Sequence, residues 1–175
     1  DNIKGKKLFK IFGYKSNIYF YLTYILISIL IILSWLVFPN TVLFIFLVVA
    51  SYHFGKEDTV FSFKRKFLIS EFLFFLKGSS IILVPLLLKR TETIEIFRIL
   101  NFNVFETSFF SNQFLVIILF FSFVSSLYIS LGKNTNLIGI MVMDFFSLFI
   151  LNFFLTPILA FTLYFCLLHS IRHSI

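Results

Sequence analysis

Long runs of apolar residues without a charge constrain this chain more than any other feature. The first run, NIYFYLTYILISILIILSWLVF, extends from Asn17 to Phe38. Because a helix rises about 1.5 Å per residue, a run of this length crosses the roughly 30 Å hydrocarbon core of a bilayer. Tyrosines and Trp35 near its ends fit the aromatic belts found at membrane surfaces. The run therefore predicts a transmembrane helix.

Further apolar segments follow, and together they predict an all-α fold, a polytopic transmembrane helical bundle of about six spans. The predicted spans are residues 17–38, 41–54, 67–88, 114–131 and 137–156, and a sixth that opens at Pro157. Pro39 and Asn40 break the first helix and turn the chain. The mixed-charge stretch 89–113 is predicted to be a loop. We expect residues 1–175 to form a single transmembrane domain, truncated at both ends, since the chain begins at Asp1 rather than Met.

The composition agrees with a chain that lies in the lipid bilayer. Hydrophobic residues make up 59% of the chain, 29 residues are Phe, and only 13% are charged, compared with about 25% in soluble domains. The net charge of +7 would suit a nucleic-acid-binding protein. The basic residues instead lie at the ends of apolar segments, as in membrane proteins, so we expect no nucleic-acid partner. Cys166, the single cysteine, is predicted to be a small core residue.

The basic residues also predict the orientation of the bundle. If the lysine-rich segment before Asn17 is cytoplasmic, eleven of the fifteen basic residues fall in predicted cytoplasmic segments. The eleven are Lys4, Lys6, Lys7, Lys10, Lys15, Lys56, Lys64, Arg65, Lys66, Lys133 and Arg172. Basic segments are retained on the cytoplasmic side of a membrane, so the N-terminal segment is predicted to be cytoplasmic.

All three histidines are predicted to lie near that cytoplasmic face. His53 ends the second span, and His169 and His173 end the sixth, so both even-numbered spans finish on the same side. His169 and His173 are four residues apart and share one helix face. Ionisable groups at membrane depth are costly and usually functional, and three neutral imidazoles suit Fe, Zn or Cu. The histidines therefore predict a metal site, and a set without thiolates favours oxygen chemistry on an apolar substrate.

Each of these residues also has a simpler interpretation. His169 and His173 fit a pair of interfacial histidines that extend towards water, and His53 fits a polar residue at a helix end. Asp58 follows His53 by five residues. It either orients a metal-binding imidazole without binding the metal itself or is a solvated loop charge.

Four residues inside the third and fifth spans also need an explanation. Glu71 and Asp144 are acidic groups that require partners in an apolar bundle, and Lys77 is a candidate partner for Glu71. Asp144 is also a candidate for contact with the histidine site. Gly78 predicts a close contact between two helices.

Three stretches of the chain resemble one known family. ASYHFGKED, residues 50–58, and AFTLYFCLLHSIRH, residues 160–173, are similar to the histidine motifs of the bacteriorhodopsin-related and bacteriorhodopsin-homologue carotene dioxygenases, the Brp/Blh family. KGSSIILVPLLLK, residues 77–89, resembles the Gly…Pro-Leu-Leu segment that lies between those motifs. The order and spacing agree over nearly the whole chain.

The resemblance implies a multi-pass enzyme of the bacterial inner membrane. Such an enzyme uses Fe²⁺ and O₂ to cleave β-carotene at its central 15,15′ double bond into two molecules of all-trans-retinal. The retinal would serve as the chromophore of a microbial rhodopsin, for example a proteorhodopsin. The family pattern places the iron ligands, which are also the catalytic residues, at His53, His169 and His173.

The chain departs from the family pattern at its start. Family members carry a fourth histidine in an N-terminal His-Gly-x-x-Asp motif, and Asp1 resembles the aspartate that closes it. Asp1 and Asp58 are therefore candidates for residues that support the ligands. The alternative function is a non-catalytic membrane protein that binds haem or a metal. A transporter is disfavoured because the sequence shows no inverted repeat.

Overall fold

The computed structural model describes residues 17–59, 68–130 and 135–169. The α-helices in these ranges are α1 (Asn17–Val37), α2 (Pro39–Glu57), α3 (Leu68–Leu88), α4 (Arg90–Ile99), α5 (Asn112–Ser130), α6 (Thr135–Phe154) and α7 (Pro157–Leu163). A π-helical segment, Tyr164–His169, continues α7, and two 3₁₀ turns, Val104–Glu106 and Ser108–Phe110, lie between α4 and α5. Every regular element in the described ranges is helical, which confirms the all-α prediction there.

The apolar runs and the prolines set the helix boundaries much as the sequence predicts. α1 ends at Val37, and Pro39 is the first residue of α2. Pro157 likewise opens α7. Proline is favoured at the first position of a helix because its ring fixes φ and its missing N–H is not needed there.

Three of the described helices are long and apolar enough to cross a membrane. They are Ile18–Val37, Ile69–Leu88 and Asn112–Ser130. Two shorter apolar helices cover Ile138–Phe154 and Pro157–Leu167. A membrane protein is therefore supported, while the number of about six spans stays a prediction.

The predicted loop 89–113 is wrong in part, because it contains α4 and both 3₁₀ turns. Phe97, Phe102 and Phe105 form an aromatic cluster, with the centroids of Phe97 and Phe105 4.9 Å apart. Glu92, Glu95 and Arg98 of α4 are exposed, and Arg98 Nε lies 3.1 Å from Glu106 Oε1. Most of the charges of α4 thus lie on the exposed face of an amphipathic helix and are not a sign of irregular structure.

The chain divides into two compact units, residues 1–42 and 43–175. The first unit holds α1 and the first turn of α2. The described side chains of α1 are exposed or partly exposed. Thr23 and Ser28 donate hydrogen bonds to the carbonyl oxygens four residues earlier, at 2.7 and 2.9 Å. These two hydroxyl groups are therefore satisfied within the helix, as hydrocarbon surroundings require.

The second unit is built around α3, which packs most extensively against α5. Ser122 Oγ donates to the carbonyl oxygen of Lys77, and Ser125 Oγ donates to that of Leu73, both at 3.3 Å. Beside these serines, Val84 and Leu115 are completely buried. Small residues allow two helix backbones to approach closely, and their hydroxyl groups add hydrogen bonds between the helices.

Candidate functional site

The end of α2 carries the first predicted ligand, His53. The His53 side chain is exposed, and its ring centroid is 6.0 Å from that of Phe54. Because helix residues turn by about 100° each, His53 lies about 200° around α2 from Ser51. The two side chains therefore leave the helix on opposite sides.

A very close helix crossing fixes this end of α2 against α3. A Cβ atom on Gly55 would lie 1.8 Å from the carbonyl oxygen of Phe74. A Cβ atom on Gly78 would lie 1.8 Å from the carbonyl oxygen of Ser51. No side chain fits at either position, so the close contact predicted for Gly78 is confirmed, and Gly55 is its partner across the crossing.

Aromatic side chains join the end of α2 to the helix that leads to His169. The ring centroid of Phe54 is 6.2 Å from that of Phe161 and 6.1 Å from that of Phe165, and the rings meet edge to face in both pairs. Phe161 and Phe165 are themselves stacked and remain exposed. The structure therefore brings the end of α2 beside α7 and the segment that ends at His169.

A hydrogen bond joins the same two elements. The hydroxyl group of Tyr164, the first residue of the π-helical segment, donates to Asp58 Oδ2. Asp58 is 7% exposed and Tyr164 is 3% exposed. Asp58 is thus a buried acid with a tyrosine partner, and its interpretation as a solvated loop charge is wrong.

Asp58 and Tyr164 line a small polar pocket with three helices around it. Lys77 of α3 and Asp144 of α6 contribute charged groups that are 7% and 8% exposed, and Ser126 of α5 contributes a hydroxyl group. The volume of the pocket is about 10 Å³, close to the room that one water molecule needs. Buried charges of both signs in one pocket hold their helices in a defined arrangement only while every member is present.

Glu71 has partners on α2. The hydroxyl group of Tyr52 donates to Glu71 Oε2, and Lys56 Nζ lies 3.4 Å from the same oxygen. The structure places Lys77, the predicted partner of Glu71, in the pocket of Asp58 and Asp144. The hydrogen bond to Tyr52, and then the Glu71 carboxylate, raise the pKa of Lys56 against the opposing effect of partial burial.

A larger apolar groove lies on another side of α2 and α3. Its volume is about 280 Å³, and phenylalanine side chains such as Phe44, Phe75 and Phe110 form much of its wall. None of the described residues that line it has a charged side chain, and the Ser79 hydroxyl donates to the Leu76 carbonyl oxygen at 2.7 Å. Ser51 borders the groove, so His53 lies on the opposite side of α2 from it. The groove suits a hydrocarbon, and the helix separates it from His53.

The structure describes the predicted ligands unequally. His53 is described in full, and His169 is described as the last residue of the π-helical segment. His173 and Asp1 lie outside the described residues. Within the described ranges, no group of three or more His, Cys, Asp and Glu residues could hold a metal ion. The three-histidine ligand set stays a prediction.

Two residues of this site were not predicted from the sequence. Gly55 lies within the first histidine motif, four residues after Ser51, and this small-xxx-small spacing was a usable signal. Tyr164 lies three residues after Phe161 and carries no pattern that distinguishes it from the other aromatic residues around it. Its partner, Asp58, is more than a hundred residues away in the sequence.

Comparison with known families gives one match. A family model described as "Beta-carotene 15,15'-dioxygenase" matches residues 1–175. No curated protein and no solved structure matches the chain.

Proposed function

The chain belongs to the beta-carotene 15,15′-dioxygenase family, and on that premise we propose that it is a membrane-bound, iron-dependent oxygenase. The proposed reaction cleaves β-carotene at its central 15,15′ double bond with O₂ and gives two molecules of all-trans-retinal. The match of the family model to residues 1–175 is the observation that carries this proposal.

His53, His169 and His173 are the residues that would hold the iron. Imidazole nitrogens are common ligands of non-haem iron and leave coordination positions open for a second reactant. The packing of Phe54 against Phe161 and Phe165 supports this set, because it joins the helix of His53 to the helix of His169. Bound Fe²⁺ would supply the unpaired electrons that triplet O₂ needs in order to react with a closed-shell polyene.

The chain's own apolar surfaces would bind and orient the substrate. The stacked, exposed rings of Phe161 and Phe165 offer a flat surface for a conjugated polyene close to the end of α2. The central bond of β-carotene lies many carbon atoms away from the ring at each end of that molecule. The groove beside Ser51 would therefore take a terminal part of the hydrocarbon, and the bond to be cleaved would lie near the histidines.

The cell membrane is the source of this substrate and the destination of its product. β-Carotene partitions into lipid, and three helices in the described part of the chain are apolar enough to lie there. We place the protein in the bacterial inner membrane, with its N-terminal segment and histidine-bearing helix ends cytoplasmic. Retinal released there would supply the chromophore of a microbial rhodopsin such as a proteorhodopsin.

Expression in carotene-producing bacteria tests the proposal. Cells that make the protein should change from orange towards colourless while retinal accumulates, as measured by chromatography of extracts. His169→Ala cells should stay orange, whereas Ser170→Ala cells should bleach at the rate of the unmodified protein. Bleaching by His169→Ala cells with equal protein in the membrane would reject the assignment. A visible Soret band in the purified protein would favour the alternative of a haem-binding protein.

A further inference from the structure

The buried contact between Asp58 and Tyr164 joins the two helix ends that carry predicted ligands. We infer that Tyr164 is a positioning residue: its hydrogen bond to Asp58 fixes the π-helical segment against the end of α2. The bond thereby sets the spacing between His53 and His169. The part of this inference that concerns iron rests on the proposed function, whereas the part that concerns helix spacing does not.

The position of Asp58 is well defined, because hydrogen bonds and a close backbone contact hold the turn that contains it. The Asp58 amide donates to the Phe54 carbonyl oxygen at 3.0 Å. The Thr59 hydroxyl, fully buried, donates to the carbonyl oxygens of Gly55 and Lys56 at 2.7 and 2.9 Å. Gly55 is in turn pressed against the α3 backbone. The turn that carries the Asp58 side chain is therefore held to α2 and, through Gly55, against α3.

Tyr164, in contrast to Asp58, begins a segment of unusual backbone geometry. The chain changes there from α-helical to π-helical, and the segment ends at His169. A π-helix has more residues per turn than an α-helix, so each residue after the change is rotated relative to its α-helical position. Single π-turns of this kind occur frequently at functional sites. The position of the backbone at His169 therefore depends on where this segment is held.

The chemistry of the bond suits such a role. A phenol donating to a carboxylate is a charge-assisted hydrogen bond, stronger and more directional than a neutral one. Both groups are more than nine-tenths buried, so water does not easily replace either partner. The neighbouring aromatic contacts of Phe54 are less directional and permit sliding, whereas this bond defines a single arrangement.

The spacing is measurable without iron or substrate. Cys166 is the only cysteine of the chain and is exposed within the π-helical segment, so the prediction that it is a core residue is wrong. Val49→Cys adds a second exposed site on α2. Spin labels at the two cysteines report the distance between α2 and the π-helical segment by pulsed electron paramagnetic resonance. In this background, Tyr164→Phe removes only the hydroxyl group.

We expect Tyr164→Phe to broaden and shift the distance distribution, and Tyr128→Phe, on an exposed part of α5, to leave it unchanged. Asp58→Asn keeps an acceptor oxygen and should give an intermediate distribution. An unchanged distribution in both Tyr164→Phe and Asp58→Asn would overturn the inference. If Tyr164→Phe does not accumulate in the membrane, Asp58→Asn is the test. A changed distance distribution in Asp58→Asn then supports the inference, and an unchanged one overturns it.

The iron part has separate readouts. Tyr164→Phe should lower the iron content and kcat by roughly 10- to 100-fold, the usual effect of a residue that supports metal ligands, with KM for β-carotene unchanged. Asp58→Asn should lower the iron content and kcat by less than Tyr164→Phe does. If Tyr164→Phe changes the distance but the unmodified protein binds no iron and makes no retinal, the positioning contact is supported and the proposed function is rejected. Normal iron content and kcat in Tyr164→Phe overturn the link to the ligands.

Discussion

Two faces of α3 line two very different spaces. Lys77, Ser80 and Ile81 border the polar pocket, which has a volume of about 10 Å³ and is lined by acidic and basic side chains. Ser79 and Ile82 border the apolar groove, which has a volume of about 280 Å³ and whose described lining residues are all uncharged. One face of the helix therefore holds its neighbours in place, and the other leaves room for a hydrocarbon.

The difference between the faces has a physical basis. Buried charges are stable only with their partners in place, so each helix that contributes one is held in register. Apolar side chains have no such requirement and tolerate changes of neighbour. We therefore expect substitutions on the pocket side to affect folding, and substitutions on the groove side to affect substrate binding.

The largest effect is expected at the helix crossing beside the pocket. Gly55→Ala places a Cβ atom 1.8 Å from the Phe74 carbonyl oxygen, so α2 and α3 must separate. We expect a loss of about 4 kcal/mol or more in stability and little folded protein in size-exclusion profiles. Gly139→Ala is the matched control, because nothing lies within 4 Å of its Cβ position. Equal yields of the two variants would show that the crossing is not tight.

The next effect is expected inside the pocket. Lys77→Met removes the buried positive charge and leaves Asp58 and Asp144 together, which should cost about 3 kcal/mol. Lys89→Met is the control, because Lys89 forms a partly exposed pair with Glu92 at 3.7 Å, and we expect a loss below about 1 kcal/mol. Thermal denaturation in detergent measures both. A melting temperature for Lys77→Met equal to that of Lys89→Met would contradict the structural role of the pocket.

A smaller and different effect is expected in the groove. Val48→Trp fills part of it and should raise KM for β-carotene about tenfold, equivalent to about 1.4 kcal/mol, without a change in melting temperature. Val116→Trp, at an exposed position of α5 that does not line the groove, should leave KM unchanged. Equal KM values for the two variants would remove the groove from the proposed substrate path.

The smallest effect is expected at the exposed end of α2. Lys56 has a pKa raised from 10.5 by Tyr52 and Glu71, so its contribution to stability is complete below that value and is lost as the pH rises through the folded-state pKa. Because Lys56 and Glu71 are partly exposed, we expect Lys56→Met to lose less than about 1 kcal/mol. The difference from wild type should be full at about pH 9 and should shrink at higher pH, as the Lys56 side chain loses its proton. A difference that persists at the higher pH would contradict this origin.

The sequence predicts the helices well because hydrophobic runs and prolines are local signals. The starts at Pro39 and Pro157 and the close contact at Gly78 follow from such signals. The sequence does not predict α4, because its mixed charges are typical of a loop, while Phe97 on its apolar face packs on Phe105. The bond between Asp58 and Tyr164 was not predictable, since it depends on how distant helices pack and on a π-helical segment.

Retinal formation by purified protein tests the central claim most directly. Wild-type protein loaded with Fe²⁺ and given β-carotene and O₂ should form two molecules of retinal for each β-carotene consumed. His53→Ala protein of equal purity and folded yield should form none and should bind less iron. Retinal formation by His53→Ala at the wild-type rate, or a product other than retinal from the wild-type protein, would contradict the account.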